Sequence, residues 1–319
     1  MDKFYELTID KSNGNVCYND KYHIYWDRKD MFTYISATTL ISLFESFDKD
    51  FWLGYKSVQS FLPKCKQTER LLKNLRKVRV LDINEVIEAF PGVFTLQEWE
   101  AKKKELEAEW KQKADTACEF GTAAHASYEN KFNEKGWYSL GWYGQNPDDH
   151  FAYIPNYYQF NDKLDRQVIP EMLISIKTDS GVRIAGQVDL CIKNLDYITV
   201  MDYKSNNRLD FVSYRYPDGR YEMMKYPLDM MMDCNIAHYQ LQTSLYTWML
   251  LKKYPLCKPC NPVIMHFYDK SDISKVERHE LPFIPKKIIL MLRYFRDHIN
   301  YNYKKVIEKD GRFFVARNA

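Results

Sequence analysis

The stretch 171–204 reads EMLISIKTDSGVRIAGQVDLCIKNLDYITVMDYK, and everything else is arranged around it. From Val182 to Ile192 the even positions are Val182, Ile184, Gly186, Val188, Leu190 and Ile192, and the odd ones are Arg183, Ala185, Gln187, Asp189 and Cys191. That is period-two alternation, the signature of a strand with one apolar and one mostly polar face. Met172, Ile174 and Ile176 behave the same way one strand earlier, with Glu171, Ser175 and Lys177 on the other face. Thr178-Asp-Ser-Gly181 and Asn194–Tyr197 are turn signals.

The turns predict the register. A hairpin centred on Ser180 sets Glu171 opposite Asp189, and one centred between Leu195 and Asp196 sets Asp189 opposite Asp202. Directly opposed residues have Cβ atoms about 5 Å apart. Three carboxylates would then form a row across three antiparallel strands, with Lys204 on the same face. Such a row repels itself unless a cation compensates, and oxygen ligands suit a hard divalent ion, Mg²⁺ or Mn²⁺. Acids at solvated strand ends are the plainer alternative, and a one-residue slip would scatter the row.

Further along the chain lie Gly121-Thr-Ala-Ala-His125 and Gln242-Thr-Ser-Leu-Tyr246. With Glu171, Gly186-Gln-Val-Asp189 and Asp202-Tyr-Lys204, these five motifs in order resemble the PD-(D/E)XK nuclease superfamily, in its RecB-like exonuclease branch. The segment Ser36-Ala-Thr-Thr-Leu-Ile extends the similarity toward mitochondrial genome-maintenance exonucleases and their phage relatives. The resemblance implies an α/β chain of the α+β type, with a restriction-endonuclease-like core: a mixed central β-sheet flanked by helices.

It also implies roles. Asp189 and Asp202 would bind the metal, joined by the Tyr203 backbone carbonyl and by His125 from its helix; Glu171 would ligate directly or through water. Lys204 would orient or deprotonate the attacking water and steady the developing charge. Gln242 and Tyr246, one helical turn apart, would contact DNA or the groups behind the ligands, and Ser205 would lie near the scissile phosphate. Plain helix packing is the other reading of Tyr246, and a packed or surface residue that of a lone helical histidine. The implied activity is metal-dependent DNA hydrolysis, foremost an exonuclease on single-stranded or free DNA ends in replication, recombination or repair. A structure-specific endonuclease and a non-catalytic DNA-binding recombination partner are the alternatives.

Related nucleases that hold an iron–sulfur cluster place three cysteines near the C-terminus. Here only Cys257 and Cys260 lie downstream, and Cys118 sits beside the histidine motif, so no such cluster is expected. Cys257-Lys-Pro-Cys260 is the one CxxC, without a second pair at zinc spacing; loop cysteines are its plainer reading.

The remaining sequence frames this core. The chain has 319 residues, 28% charged, with a net charge of +3 and 25 tyrosines, which excludes disordered, fibrous and disulfide-miniprotein classes. No run approaches the roughly 18 apolar residues of a membrane helix, and the N-terminus lacks signal-peptide order. Seven scattered cysteines suit a reducing compartment, so a cytoplasmic location is expected, the host cytoplasm for a phage protein. Residues 1–100 read as an accessory region of hairpins and basic helices, and 101–319 as the nuclease core. Phe4–Ile9 and Val16–Tyr18 flank an Asn13-Gly14 turn, Tyr22–Trp26 and Phe32–Ile35 flank another, and Ser36 or Thr38 caps a helix running toward Tyr55. Thr95-Leu-Gln-Glu98 is a capping box opening a helix to about Phe132. Basic residues at 63–80 and 286–317 would hold phosphates while aromatics stack bases. Segment 205–237, rich in methionine, reads as a lid or as packing.

Overall fold

The computed structural model describes residues 4–135, 137–139, 150–154, 159–216, 218–269, 272 and 275–317, with backbone alone at 117–118, 124–135, 137–139, 150 and 153. It is an α+β chain built on a nine-stranded mixed sheet. The strands of that sheet are β5 (Ile35–Ser36), β6 (Trp137–Ser139), β7 (His150–Tyr153), β8 (Arg166–Lys177), β9 (Arg183–Asn194), β10 (Tyr197–Lys204), β11 (Lys258–Pro259), β12 (Val263–Phe267) and β13 (Val276–Glu280). Their order is β13-β12-β10-β9-β8-β7-β6, with β11 beside β10 and β5 beside β9. The β8–β9–β10 meander is antiparallel, whereas β10–β12, β7–β8 and β5–β9 pair in parallel.

Among the described residues, two small three-stranded sheets accompany the central one. One joins β2 (Lys11–Asn13), β3 (Val16–Asn19) and β4 (Ile24–Asp27). The other joins β1 (Phe4–Leu7) to β15 (Arg312–Ala316) and β14 (Val306–Lys309). The hairpin expected between Phe4–Ile9 and Val16–Tyr18 is thus corrected: Val16 pairs with Asn13 on β2, around Gly14 at φ 61°, while Phe4 pairs with Ala316. The turn signal was local, but the strand before it buries Leu7 against Val306, Phe313 and Val315, a partner no local pattern reveals.

The helices are α1 (Ala37–Ser42), α2 (Lys49–Phe61), α3 (Lys66–Val78), α4 (Ile83–Ala89), α5 (Leu96–Lys135), α6 (Asn235–Lys253) and α7 (Pro285–His298). Ser36 caps α1, its hydroxyl accepting the Thr39 N–H at 3.0 Å. The helix expected to run on toward Tyr55 stops at Ser42, because Asp48 caps a second helix by accepting the Phe51 N–H at 3.0 Å. The capping box at Thr95 and Glu98 closes in both directions, at 3.2 and 2.7 Å. Helices α1, α6 and α7 cover the central sheet over the main core, which includes Leu40, Leu241, Leu245, Ile288 and Met291. Helices α2–α4 and the start of α5 form their own cluster around Phe51, Tyr55, Val58 and Leu72. Among the described residues no helix is long and apolar enough to cross a membrane.

The predicted alternation does not run unbroken through β8 and β9. Met172, Ile174, Ile184 and Val188 pack into the core under α6, but so do Ile169 and Cys191. Leu173 and Ala185 join a cluster with Tyr18 and Tyr25, while Val168, Leu190 and Ile192 join one with Met201 and Tyr203. From Ile169 to Met172, and from Val188 to Cys191, the spacing is three, so both strands exchange faces at the same level. Glu171 sits there with φ 51°, a left-handed conformation that an L-residue adopts at a cost of roughly 1–2 kcal/mol. Because both strands slip together, the register survives: Pro170 opposes Leu190 and Met172 opposes Val188 on either side of the break. Such breaks re-aim side chains.

Candidate functional site

The site lies at that break. On one edge of β9 the neighbour is β5 at Ile184 and Ala185, and then β10 from Leu190 onward. Gly186–Asp189 lie between these two ladders. The β9–β10 ladder runs to Met201 opposite Leu190, which carries Asp202 to the level of Asp189. The β9 ladder ends there, while on its other edge β10 pairs in parallel with β12, Asp202 with Ile264 and Lys204 with His266. The Tyr203 N–H donates to Asp189 Oδ2 at 2.7 Å, so a carboxylate closes the gap that the ladder leaves.

Asp202 is 1% exposed. The Lys204 ammonium lies 2.5 Å from its Oδ2, and Gln242 Nε2 donates to its Oδ1 at 3.2 Å. Gln242 also accepts from Lys204 Nζ at 3.3 Å, so one α6 side chain touches both members of the pair. Burial pushes the Lys204 ammonium down, but Asp202 and Asp189 outweigh it and hold its pKa above the ordinary lysine value. The Lys204 Nζ also sits 4.6 Å from the Tyr239 ring centroid, adding a cation–π contact.

Tyr246, one turn after Gln242, packs its ring on Gly186: a Cβ there would meet Tyr246 Cε1 at 2.5 Å and its hydroxyl at 2.8 Å. The glycine before Asp189 is therefore a seat for the tyrosine. Burial, and next the Asp202 carboxylate, push the Tyr246 phenol well above its usual range. Gly121 plays a similar part on α5, where a Cβ would stand 3.0 Å from Ser205 Oγ. The helix runs through Gly121 without a break and lies close against the residue after Lys204. His125 is one turn further along α5, and its side chain lies outside the described residues.

The Glu171 carboxylate accepts from the Gln187 amide and lies 3.6 Å from Lys11 Nζ on β2. Among the described residues, the group whose ligand atoms all lie within 4.8 Å of one another is His266, Glu277 and His279, and the expected row of Glu171, Asp189 and Asp202 does not form such a group. Sequence reading missed that group. Its signal was Glu277-Arg-His279, two ligand types one strand repeat apart.

Beyond Lys204 opens a cavity of about 670 Å³, lined by Gln112, Lys113 and Thr116 of α5 and by Asn206, Asn207 and Arg208 of the following loop. Asp210 and Asn235 complete its lining, and the Asp210 carboxylate pairs with Arg208 at 2.6 Å, leaving Lys113 as the lining cation outside that pair. Segment 205–237 is anchored, not loose: Met224 and Leu228 are buried in the main core, and Asp233 accepts from the Ser46 hydroxyl and from His238 Nε2 at 2.6 and 2.5 Å. Arg79 reaches this segment too, pairing with Glu222 at 2.7 Å and stacking on Trp52 at 4.5 Å. It is thereby removed from the expected basic surface, while Lys64, Lys66, Arg70, Lys73 and Lys77 are exposed.

No family model and no curated protein matches the chain. Among solved structures, that of SSO0001 is similar at 11% identity with a TM-score of 0.23, over 40% of this chain and 48% of that one. The chain thus spans about half the length of that protein.

Proposed function

We propose that this chain is a metal-dependent deoxyribonuclease with a restriction-endonuclease-like core, an exonuclease acting on single-stranded or free DNA ends. The observation that carries the proposal is the arrangement at the end of β10: Asp189 and Asp202 at one level of adjacent strands, Lys204 on Asp202, and Gln242 bridging the two. The PD-(D/E)XK resemblance implies metal ligation by Asp189 and Asp202 with Lys204 beside them, and the contact of Gln242 with both Asp202 and Lys204 supports that reading.

The donor chemistry fits a hard divalent ion. Two carboxylates, one of them 1% exposed, offer the oxygen ligands that Mg²⁺ or Mn²⁺ prefers. Asp189 and Asp202 would hold the ion, with the Tyr203 carbonyl; His125 belongs to the set by resemblance alone, and Glu171, turned to Lys11, would join through water. A bound divalent ion supplies an activated water and neutralises charge on the phosphate. The chain's own groups do the rest. Lys204, a buried cation held by Gln242, would orient the attacking water and stabilise negative charge on the phosphate oxygens. Gln242 keeps Lys204 and Asp202 in register, and Tyr246 on Gly186 sets the depth of α6 over the strand. Lys113 and the asparagines of the adjoining cavity would take the phosphate backbone, whose neutralisation dominates nonspecific affinity.

End-labelled linear and covalently circular single-stranded DNA, incubated with the protein and Mg²⁺, test this directly. The linear strand should be degraded, the circle spared, and Asp202→Asn should lose at least about a hundredfold in rate. Cleavage of the circle would make it an endonuclease. Absence of cleavage with both Mg²⁺ and Mn²⁺, or an equally active Asp202→Asn, would leave only a DNA-binding role.

A further inference from the structure

One strand outward from Lys204, on the same face of the sheet, His266 of β12 stands opposite Glu277 of β13, and Ile264 opposite His279. One ligand atom from each of His266, Glu277 and His279 lies within 4.8 Å of the others. His266 is 3% exposed. Its Nε2 lies 2.7 Å from the Asn206 carbonyl oxygen, an atom that only accepts, so Nε2 carries the proton and the lone pair is on Nδ1. That Nδ1 is buried and has no hydrogen-bond partner among the described residues, and neither has His279 Nε2. The latter is 3.4 Å from Glu277 Oε2. A buried imidazole with one nitrogen tied to a backbone carbonyl and the other bare is how a metal-ligating histidine is held. The buried His266 Nδ1 lone pair, without a hydrogen bond among the described residues, costs desolvation energy that a metal ion would offset.

We propose that His266, Glu277 and His279 form a transition-metal site for Zn²⁺, separate from the Asp189–Asp202 pair. Two imidazoles and one carboxylate are a borderline-soft N₂O donor set, suited to Zn²⁺ and poorly suited to Mg²⁺, which takes oxygen. Tetrahedral Zn²⁺ spaces its ligands about 3.4 Å apart, so closure needs roughly 1 Å of movement, available to the exposed Glu277 and half-buried His279. The fourth position falls to water. Because His266 holds the Asn206 carbonyl, and Phe211 packs on the His279 ring at 5.7 Å, an ion here would pin the loop after Lys204 to the β12–β13 hairpin.

The test uses the full chain and Zn²⁺ itself, titrated calorimetrically against a chelator, with Co²⁺ absorption reporting nitrogen ligation. Asp189→Asn/Asp202→Asn, which disables the carboxylate pair, should retain one equivalent of nitrogen-ligated metal and a Zn²⁺-dependent rise in Tm. His279→Ala should weaken that binding at least tenfold and abolish the rise, and Glu277→Gln should weaken it as well. Should His279→Ala fail to fold, the exposed Glu277→Gln decides alone. Unchanged affinity in these variants, or loss of the equivalent in the carboxylate double variant, would overturn the assignment.

Discussion

Asp189 Oδ2 accepts the Tyr203 backbone N–H at 2.7 Å, just past the last ladder pair of β9 with β10. One carboxylate therefore serves both the sheet and the proposed metal site, and substitutions should separate the two. Asn keeps an acceptor for the Tyr203 N–H but loses the charge; Ala loses both. Asp189→Asn should melt within a few degrees of wild type while Mg²⁺-dependent cleavage falls by about a hundredfold or more. Asp189→Ala should lose cleavage and also about 1–3 kcal/mol, from a buried donor left unpaired. Paired denaturant titrations and cleavage rates check this; an active Asp189→Asn contradicts the metal role.

Gly186 is the floor under Tyr246. An added Cβ would overlap the ring at 2.5 Å, and the backbone of β9 cannot yield without moving Asp189. Gly186→Ala should destabilise by about 1–3 kcal/mol, the range for overpacking. Combined with Tyr246→Leu it should cost less than the sum of the two single changes. Additive losses in the double-mutant cycle would show that the contact does not set the packing.

Gly121 behaves differently, because its close neighbour is a hydroxyl that can rotate. Gly121→Ala gains helix propensity of about 1 kcal/mol, yet its Cβ would press on Ser205 Oγ at 3.0 Å. Stability should hold or rise while cleavage falls several-fold, through displacement of the residue after Lys204. A simultaneous drop in both would mark Gly121 as a packing residue alone.

Asp30 ties the β4–β5 connection to the β8–β9 hairpin. It accepts two bonds from Arg183, each 2.7 Å, and one from Lys177 at 2.6 Å. The Arg183 guanidinium, foremost, holds its carboxyl far below the ordinary carboxylate range. A carboxyl depressed by folding contributes stability fully above its unfolded pKa, near 4, and loses it as pH falls toward the folded value. Asp30 is 37% exposed, so solvent screening limits the contribution to about 1 kcal/mol. Asp30→Asn should show that deficit in urea unfolding at pH 7 and progressively less of it below pH 4. A deficit independent of pH would point to geometry instead of charge.

The hairpin register was legible because turn chemistry sets it. Leu195 takes φ 55° and Gly181 φ 85°, within the Asn-Leu-Asp and Asp-Ser-Gly signals, and the flanking pairs keep the expected register, although neither Glu171 with Asp189 nor Asp189 with Asp202 is itself a ladder pair. The face exchange at Glu171 was not legible, since Ile169 and Cys191 are as apolar as their neighbours and any face would accept them. The pairing of Phe4 with Ala316 is nonlocal, and no turn announces it. The break between α1 and α2 was visible only in Asp48, a cap signal inside a run whose apolar spacing otherwise continued past it. Of the site, the resemblance placed Gln242 near the DNA or the groups behind the ligands without naming Asp202 as its partner, whereas Glu171 reaching Lys11 depends on a left-handed backbone that no residue type there requires.

Helix α5 is 40 residues long and touches well-separated parts of the fold. Near its start Trp99 Nε1 donates to the Gly54 carbonyl at 3.2 Å, and Lys103 and Glu107 pair with Asp50 and Lys49 of α2. Gly121, against Ser205, is about 33 Å further along at the helical rise. One continuous helix therefore spans from the α2–α4 layer to the residue after Lys204, so the position of its Gly121 end is set in part by contacts made about six turns away.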